Sequence, residues 1–243
     1  MENIQIFPGV DELAHAAAAL ITTAAAESIK ARDVFHWVLS GGSTPRTIFS
    51  LLNREPYVQK IHWDKVHLWW GDERCVPPVH QDSNYRMAYD AFIKYLPITE
   101  SHVHRIQAEL LPNQAAQAYE LLLREIFISN PFPVFDLVLL GMGEDGHTAS
   151  LFPHTSALSE TTRWVTENYV PRLDTWRITL TAPVINAARQ VAILVSGESK
   201  AQTLKLVLQS PYKPEVYPIQ MIQLENGTKT WLLDAQAASQ LSR

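Results

Sequence analysis

The chain has 243 residues, of which 47% are hydrophobic and 19% are charged, and its formal net charge is -5. A chain of this length and composition can bury a full core, so we expect residues 1–243 to form a single α/β domain. The acidic balance argues against a nucleic-acid partner, and no apolar stretch of about eighteen residues is available to span a membrane. Cys75 is the single cysteine, which excludes an internal disulfide and a thiol-rich metal site. We therefore expect a soluble, cytoplasmic protein with no membrane partner.

The first elements of the chain are a helix and a core strand. Residues 12–31 are rich in alanine and place apolar side chains on one face, which predicts a long amphipathic helix with Asp11 as its N-cap. The apolar run at residues 34–39 predicts the first strand of the core.

A glycine-rich loop follows this strand at residues 40–46. Pro45 suits the first turn of a helix that continues to Leu52, so the loop lies at a helix N-terminus, where free N–H groups favour an anion. A tight connection alone would need the glycines but not the hydroxyl and guanidinium groups beside them. We therefore predict that this loop binds phosphate. The predicted contacts are Gly41, Gly42, Ser43, Thr44 and Arg46.

A second apolar run, at residues 66–70, predicts a strand that ends in the charged sequence GDER. Adjacent charged side chains are commonly a solvated loop, and this alternative stays open. Their place at the carboxyl end of a strand favours a functional role for Asp72 and Arg74, because open α/β sheets bind ligands at that edge. A helix over residues 84–95, capped by Asp82 or Ser83, is predicted next.

The stretch from residue 135 to residue 154 carries the strongest indication of chemistry. Residues 137–140 are continuously apolar, as in a strand of a parallel sheet that is covered on both faces. A glycine turn follows and delivers His147 at the carboxyl end of the strand, where Asp145 is expected to cap a helical turn. Because a histidine titrates near neutrality, His147 is the candidate for proton transfer, and Asp72 or Asp145 could orient it.

The same turn allows a different interpretation. Gly141, Gly143 and Gly146 match the G-x-G-x-x-G pattern of dinucleotide-binding units, and Glu167 follows at about the distance of a ribose-binding acid. However, Pro153 interrupts the long helix that such a unit requires. Metal ligation by His147 and nearby acids stays open as an alternative, but no recognised metal-ligand spacing occurs, so we expect no cofactor and no metal.

The remaining elements complete an alternation of strands and helices. Strands are predicted at residues 102–106, 163–170, 177–181, 191–195 and 219–222. Helices are predicted at residues 112–127, 182–186, 200–208 and 231–239. Lys200 opposes the helix dipole at its position, which favours a ligand-binding role. Arg172 and Arg177 are further candidates for anion contact, and the alternative for both is surface pairing with nearby acids, which is favoured for Arg172.

Five motifs occur in order along the chain: LSGGSTPRTIF from Leu39, WWGDERCVPPVHQDSNYRMA from Trp69, DLVLLGMGEDGHTASLFP from Asp136, RITLT from Arg177 and LVSGESKA from Leu194. Together they resemble the 6-phosphogluconolactonase family over nearly the whole chain. The resemblance implies a three-layer α/β/α sandwich with a mostly parallel, Rossmann-like central sheet, similar to that of glucosamine-6-phosphate deaminase. It also implies hydrolysis of 6-phospho-D-glucono-1,5-lactone to 6-phospho-D-gluconate in the oxidative pentose phosphate pathway.

In that family the histidine matching His147 is the base, and the residues matching Arg46, Arg74 and Lys200 line the substrate site. A lactone carbonyl is already electrophilic, so a base acting on water and a positive group near the oxyanion suffice. Arg74 or N–H groups of the glycine turns could supply the positive group. The chain lacks a G-x-S-x-G elbow, which disfavours a serine hydrolase. The expected partner is a phosphorylated sugar lactone, and the oligomeric state is not predicted.

Two other functions share parts of this pattern. An amino-sugar phosphate isomerase or deaminase resembles the SGGSTP and GxGxDGH loops, although the GDERCVPP loop is similar to that of the lactonases. A sugar-phosphate-sensing domain of a transcription regulator could also keep the phosphate loop. Such a regulator should carry a DNA-binding module, for which the acidic balance and the length leave little room.

Overall fold

The computed structural model describes residues 3–128 and 131–242. The strands within these ranges are β1 (Asn3–Phe7), β2 (Phe35–Leu39), β3 (Val66–Trp70), β4 (Asp72–Arg74), β5 (Val103–His104), β6 (Leu137–Gly141), β7 (Val165–Val170), β8 (Thr175–Leu180), β9 (Gln190–Val195) and β10 (Thr228–Asp234). The helices are α1 (Val10–Arg32), α2 (Ser43–Leu52), α3 (Asn84–Ala91), α4 (Pro112–Ile126), α5 (Ala182–Asn186) and α6 (Ala201–Gln209).

Seven of these strands form a parallel sheet in the order β1-β10-β9-β6-β2-β3-β5. From β2 the chain moves outward to β3 and β5 on one side, whereas β6, β9 and β10 extend the sheet on the other. The order therefore reverses between β2 and β6. In open α/β sheets, the crevice outside the carboxyl ends of the strands at such a point is the usual place for a ligand.

Helices cover this sheet. The four residues of β6 from Leu137 to Leu140 are at most 1% exposed, so side chains on both faces of the strand are covered. Helix α1 packs against α2, β2 and β10. Helix α4 reaches β3 through Tyr119, whose hydroxyl group contacts the backbone nitrogen of Trp70 at 2.9 Å. The α/β class with a parallel, helix-flanked sheet is thus confirmed.

A second, antiparallel sheet in the order β4-β8-β7 lies beside the first. The backbone of Gly71 joins the two sheets, because its N–H donates to Leu39 and its oxygen accepts from the N–H of Leu180. Residues 72–74 thus form a strand, and the open alternative of a solvated loop is wrong: Asp72 is 8% exposed and Glu73 only 2% exposed.

Several expected boundaries need correction. Helix α1 begins at Val10 with Gly9 as its N-cap, so Asp11 lies inside its first turn. The helix predicted at residues 84–95 ends at Ala91, and a 3₁₀ turn follows it. The N-cap of this helix, α3, is Ser83, whose side chain accepts a hydrogen bond from the N–H of Arg86 at 3.1 Å. No helical turn begins at His147, because residues 145–149 form a loop.

The C-terminal part differs most from the expectation. The strand predicted at residues 219–222 is the 3₁₀ turn Pro218–Met221, and the helix predicted at residues 231–239 is in fact the end of β10 followed by turns. Strand β10 lies between β1 and β9, and a short apolar run buried on both faces cannot be told from a buried helix by periodicity. In the two described ranges, no helix has the length and apolar character needed to cross a membrane.

Candidate active site

A cavity of about 320 Å³ opens where the carboxyl ends of β2, β3 and β6 meet, at the reversal of strand order. It brings together residues that are more than 150 positions apart in the sequence. The predicted site residues that line it are Gly41, Gly42, Asp72, Arg74, His147, Arg177 and Lys200.

His147 lies in the loop after β6, beside the carboxylate of Asp145. The Nδ1 atom of His147 is 2.5 Å from Oδ1 of Asp145, and its backbone N–H contacts the same oxygen at 3.3 Å. An ionised carboxylate only accepts hydrogen bonds, so Nδ1 carries the proton and Nε2 is left as the acceptor of the neutral ring. The Asp145 carboxylate, which was expected to cap a helical turn, therefore binds the imidazole of His147 instead.

The imidazole of His147 is packed on two sides. The ring of Phe152 stacks on it with the centroids 4.1 Å apart. On the other side the backbone of Gly143 approaches so closely that a Cβ atom there would lie 2.0 Å from Nδ1 of His147. Glycine is therefore required at position 143 to admit the histidine, which is a different reason from the phosphate contact of a dinucleotide-binding turn.

Asp145 does not line the cavity, but it links His147 to Arg172. Its Oδ2 atom is 2.8 Å from the guanidinium group of Arg172. Burial alone would raise the pKa of this carboxyl group, but the hydrogen bond from His147, the charge of His147 and the charge of Arg172 together hold the pKa below its usual value. Asp145 is therefore held as a carboxylate between two cationic or proton-donating groups.

The glycine loop after β2 forms the start of α2. Gly42 has a φ of +108°, a conformation that side chains with a Cβ rarely adopt, and no side chain caps the helix. The N–H groups of the first turn are thus open to an anion. The hydroxyl of Thr44 lies 2.7 Å from that of Ser196, which joins this loop to the loop that carries Lys200.

Arg74 and Arg177 are register partners in the antiparallel pair of β4 and β8. Burial, and next the charge of Arg74, lower the pKa of Arg177 from its ordinary value. Like charges directly opposite each other in a sheet repel, so the pair favours an anion between or beside them. The charge of Asp72 acts in the opposite direction on Arg177, while Ser150 and Asn84 hold its carboxylate in place with contacts of 2.6 and 3.3 Å.

Glu73 is a structural residue of the site that the sequence did not reveal. Its buried carboxylate accepts from the backbone N–H groups of Arg74, Asn84 and Tyr85 and from the hydroxyl of Ser83, at 2.7 to 3.0 Å. Burial raises the pKa of Glu73, against the lowering effect of these hydrogen bonds. The acid holds the N-terminus of α3 against β4 and thereby fixes the two residues on either side of it.

The structure places Arg46 away from the cavity. The residue lies on α2 with Ser50, one helical turn further on, and together with Arg54, which follows the end of the helix, it lines a separate surface depression. Its side chain therefore does not line the cavity, and neither do the side chains of Ser43 and Thr44. Ser150 and Asn84 were not foreseen; both lie in the quoted motifs, but no spacing rule marks them.

The chain was compared with known proteins. A family model described as glucosamine-6-phosphate isomerases/6-phosphogluconolactonase matches residues 8–231. The chain is 42% identical over 227 residues to a 6-phosphogluconolactonase of Synechocystis sp., covering 91% of this chain and 90% of that protein. It is 40% identical over 245 residues to one of Nostoc sp., covering 99% of both. A solved 6-phosphogluconolactonase from Trypanosoma cruzi is similar with a TM-score of 0.88 and 30% identity, covering 100% of this chain and 98% of that chain. The chain therefore belongs to the glucosamine-6-phosphate isomerase/6-phosphogluconolactonase family.

Proposed function

We propose that the chain hydrolyses 6-phospho-D-glucono-1,5-lactone to 6-phospho-D-gluconate, with His147 as the general base that activates water. Family membership supports the lactonase activity. The observation that carries the mechanism is the Asp145–His147 pair at the edge of a cavity that is also lined by the glycines before α2 and by four cationic side chains.

The hydrogen bonding of the imidazole identifies the atom of His147 that can act as the base. Since Nδ1 of His147 donates to Asp145, Nε2 can take a proton from a water molecule in the cavity. Asp145 holds the ring in this tautomer and stabilises the imidazolium that forms. Attack of the resulting hydroxide on the lactone carbonyl gives a tetrahedral oxyanion.

Arg74 and Arg177 are the groups best suited to stabilise that oxyanion. The alternative donors, the N–H groups of Gly143 and Gly146, already donate to the carbonyl oxygens of His147 and Gly143 at 2.8 and 3.0 Å. Fixed donors aimed at the developing charge lower the barrier more than mobile water does. Collapse of the intermediate expels the ring oxygen, which takes the proton back from His147.

The phosphate group is assigned to the start of α2 and to Lys200. Lys200 and the glycines Gly41 and Gly42, which lead into α2, line the same cavity as His147, and no side chain caps the N–H groups at this helix N-terminus. Within the described residues the ammonium group of Lys200 makes no ion pair, so its charge is available to a ligand. This reaction uses no metal and no cofactor, and the cytoplasmic location expected from the composition stays a prediction.

The test compares two substrates and one variant. The purified protein should hydrolyse the 6-phosphorylated lactone with a kcat/KM far above that for glucono-1,5-lactone, after subtraction of spontaneous hydrolysis, because phosphate binding supplies energy away from the reacting carbonyl. His147→Ala should lower kcat by about a hundredfold to ten-thousandfold, as loss of a general base typically does. Equal kcat/KM values for the two lactones would exclude the proposed phosphate site, and full activity of His147→Ala would exclude His147 as the general base.

A further inference from the structure

Arg172 reaches the base from a different part of the chain. It lies in the 3₁₀ turn Pro171–Leu173 that connects β7 to β8, and Asp174 closes this turn in the left-handed conformation, with a φ of 46°. The side chains of Arg172 and Leu173 line the cavity, so the hairpin tip forms part of its wall.

Four side chains form a closed ring of contacts at this point. Arg172 binds Asp145 at 2.8 Å, Asp145 binds His147 at 2.5 Å, and Phe152 stacks on His147 at 4.1 Å. The ring closes because the guanidinium carbon of Arg172 lies over the ring of Phe152, 5.3 Å from its centroid. The arginine therefore touches both groups that hold the imidazole.

The geometry points to Arg172 as a positioning residue for His147: it fixes the Asp145 carboxylate on Nδ1 of the imidazole and offsets part of the carboxylate's charge, which opposes protonation of the imidazole at Nε2. This inference rests on the proposed role of His147 as the base. Arg172 acts through Asp145 and Phe152, and no reacting atom needs to touch it.

The physical reason lies in the shared carboxylate. A carboxylate beside an imidazole favours the charged imidazolium, which cannot act as a base. A guanidinium group on the second oxygen opposes this effect, because it attracts the carboxylate and repels the imidazolium. The ion pair also attracts Oδ2 of Asp145 toward Arg172, which favours the orientation in which Oδ1 lies on Nδ1 of His147.

Other charges face the same cavity and must be considered with Arg172. They are Arg74 and Asp72 of β4, Arg177 of β8 and Lys200 before α6. Tyr217 packs against the backbone of Gly146 in the same loop as His147. Among the described residues, Asp145 is the only charged group with a direct contact to the His147 ring, and Arg172 is the only cation in contact with Asp145.

The competing explanation is an ordinary ion pair. Arg172 is 52% exposed, and half-exposed pairs of this kind are often worth little to stability. Such a pair would contribute to the stability of the fold or have no effect, but it would not change the pH at which protonation of His147 stops catalysis. The acid limb of the pH–rate profile therefore separates the two explanations.

The experiment uses Arg172→Met and Arg172→Lys in the full chain, with kcat/KM measured for the phosphorylated lactone between pH 5 and pH 9. We expect the midpoint of the acid limb to move up by about half a pH unit in Arg172→Met, the size expected for a half-exposed charge. Activity should then fall by up to about threefold at pH values well below the midpoint and little at pH values well above it. Arg172→Lys should restore the midpoint, because it restores the charge.

Arg163→Met is the matched control. Arg163 pairs with Glu167 at 2.9 Å near the same strand β7 but does not line the cavity, so its loss should leave the midpoint in place. An unchanged midpoint in Arg172→Met would overturn the inference, and a raised KM beside it would make Arg172 a substrate contact instead. NMR without substrate can follow the half-titration pH of the His147 ring in the unmutated protein and in Arg172→Met. This measurement tests the effect of Arg172 even if His147→Ala proves fully active, so failure of the proposed function is distinguished from failure of this inference.

Discussion

The hydroxyl group of Ser150 donates a 2.6 Å hydrogen bond to Oδ2 of Asp72, which joins the loop after β6 to the first residue of β4. The side-chain amide of Asn84 contacts the other carboxylate oxygen and the backbone oxygen of Asp72. Both oxygens of this buried acid are therefore engaged. This arrangement suits a group that orients its neighbours better than one that takes a proton from water.

Asp72→Asn tests this assignment. An asparagine fits the same hydrogen bonds if the Ser150 hydroxyl accepts instead of donating, so the fold should be kept while the charge near Arg74 and Arg177 is lost. We expect kcat to fall about tenfold, less than the hundredfold or more expected for a lost general base. Steady-state kinetics beside His147→Ala provide the comparison. A larger loss in Asp72→Asn than in His147→Ala would make Asp72 the base.

Lys200→Ala and Arg46→Ala form a matched pair, because one cation lines the cavity and the other lies on the outer face of α2. Removal of Lys200 should raise KM for the phosphorylated lactone about tenfold to a hundredfold, since a charge-assisted hydrogen bond contributes about 1.5–3 kcal/mol. Arg46→Ala should stay within about twofold of the unmutated KM, as a surface substitution away from the site does. A larger effect of Arg46→Ala than of Lys200→Ala would place the phosphate near Arg46.

The contrast between these two cations indicates what the sequence could predict. Strand ends and glycine loops located the cavity correctly, because the carboxyl ends of parallel strands meet at one edge of the sheet. The side-chain direction of Arg46 depends on the helical phase of α2, and Pro45 and Gly42 do not set it uniquely. The sequence identified the loop but not which of its residues face inward.

Strand β10, at the C-terminal end, was missed for a related reason. Residues 231–234 are apolar except for Asp234, and a buried helix would show the same pattern. Their strand conformation depends on pairing with β9 and β1, partners that are distant in the sequence. Similarly, the burial of Glu73 follows from the docking of α3 on β4, a tertiary contact that no local pattern encodes.

Glu73→Ala is expected to destabilise the fold more than a typical substitution. The change leaves the N–H groups of Asn84 and Tyr85 without their acceptor, and each buried donor left unpaired costs about 1–3 kcal/mol. The free energy of unfolding from urea titration should therefore fall by about 3 kcal/mol or more. Glu73→Gln keeps one acceptor oxygen, so its free energy of unfolding should lie between those of the unmutated protein and of Glu73→Ala. A loss below about 1 kcal/mol in Glu73→Ala would contradict the anchoring role.

Four histidines lie together at the β2–β3–β5 side of the sheet. Nδ1 of His67 contacts Nε2 of His104 at 2.9 Å, and the ring of His102 stacks on that of His67 with the centroids 3.9 Å apart. Burial, and next the charges of the neighbouring histidines, lower the pKa of His36 to about 3. Burial first, and then neighbouring histidines, lower the pKa of His67 and of His104 to about 4.

The sign of the resulting pH dependence follows from proton counts. Well above about pH 6.5, His36, His67 and His104 are neutral in both the folded and the unfolded chain, so they do not change the stability. Between about pH 6.5 and the folded pKa values near 4, the unfolded chain binds protons that the folded chain excludes. The free energy of unfolding should therefore keep its full value above about pH 6.5 and decrease as the pH falls toward 4.

Urea denaturation at pH 7.5 and pH 5.0 tests this expectation. The midpoint should be lower at pH 5.0, and the difference between the two pH values should be smaller in His67→Gln, which removes one of the protons taken up on unfolding. His80→Gln is the control, because His80 lies in an exposed loop outside the cluster and its loss should leave the difference unchanged. Comparing differences rather than single midpoints separates the titration from any loss of packing in the variant. Equal midpoints at the two pH values in the unmutated protein, or an undiminished difference in His67→Gln, would show that the histidine cluster does not make the fold acid-sensitive.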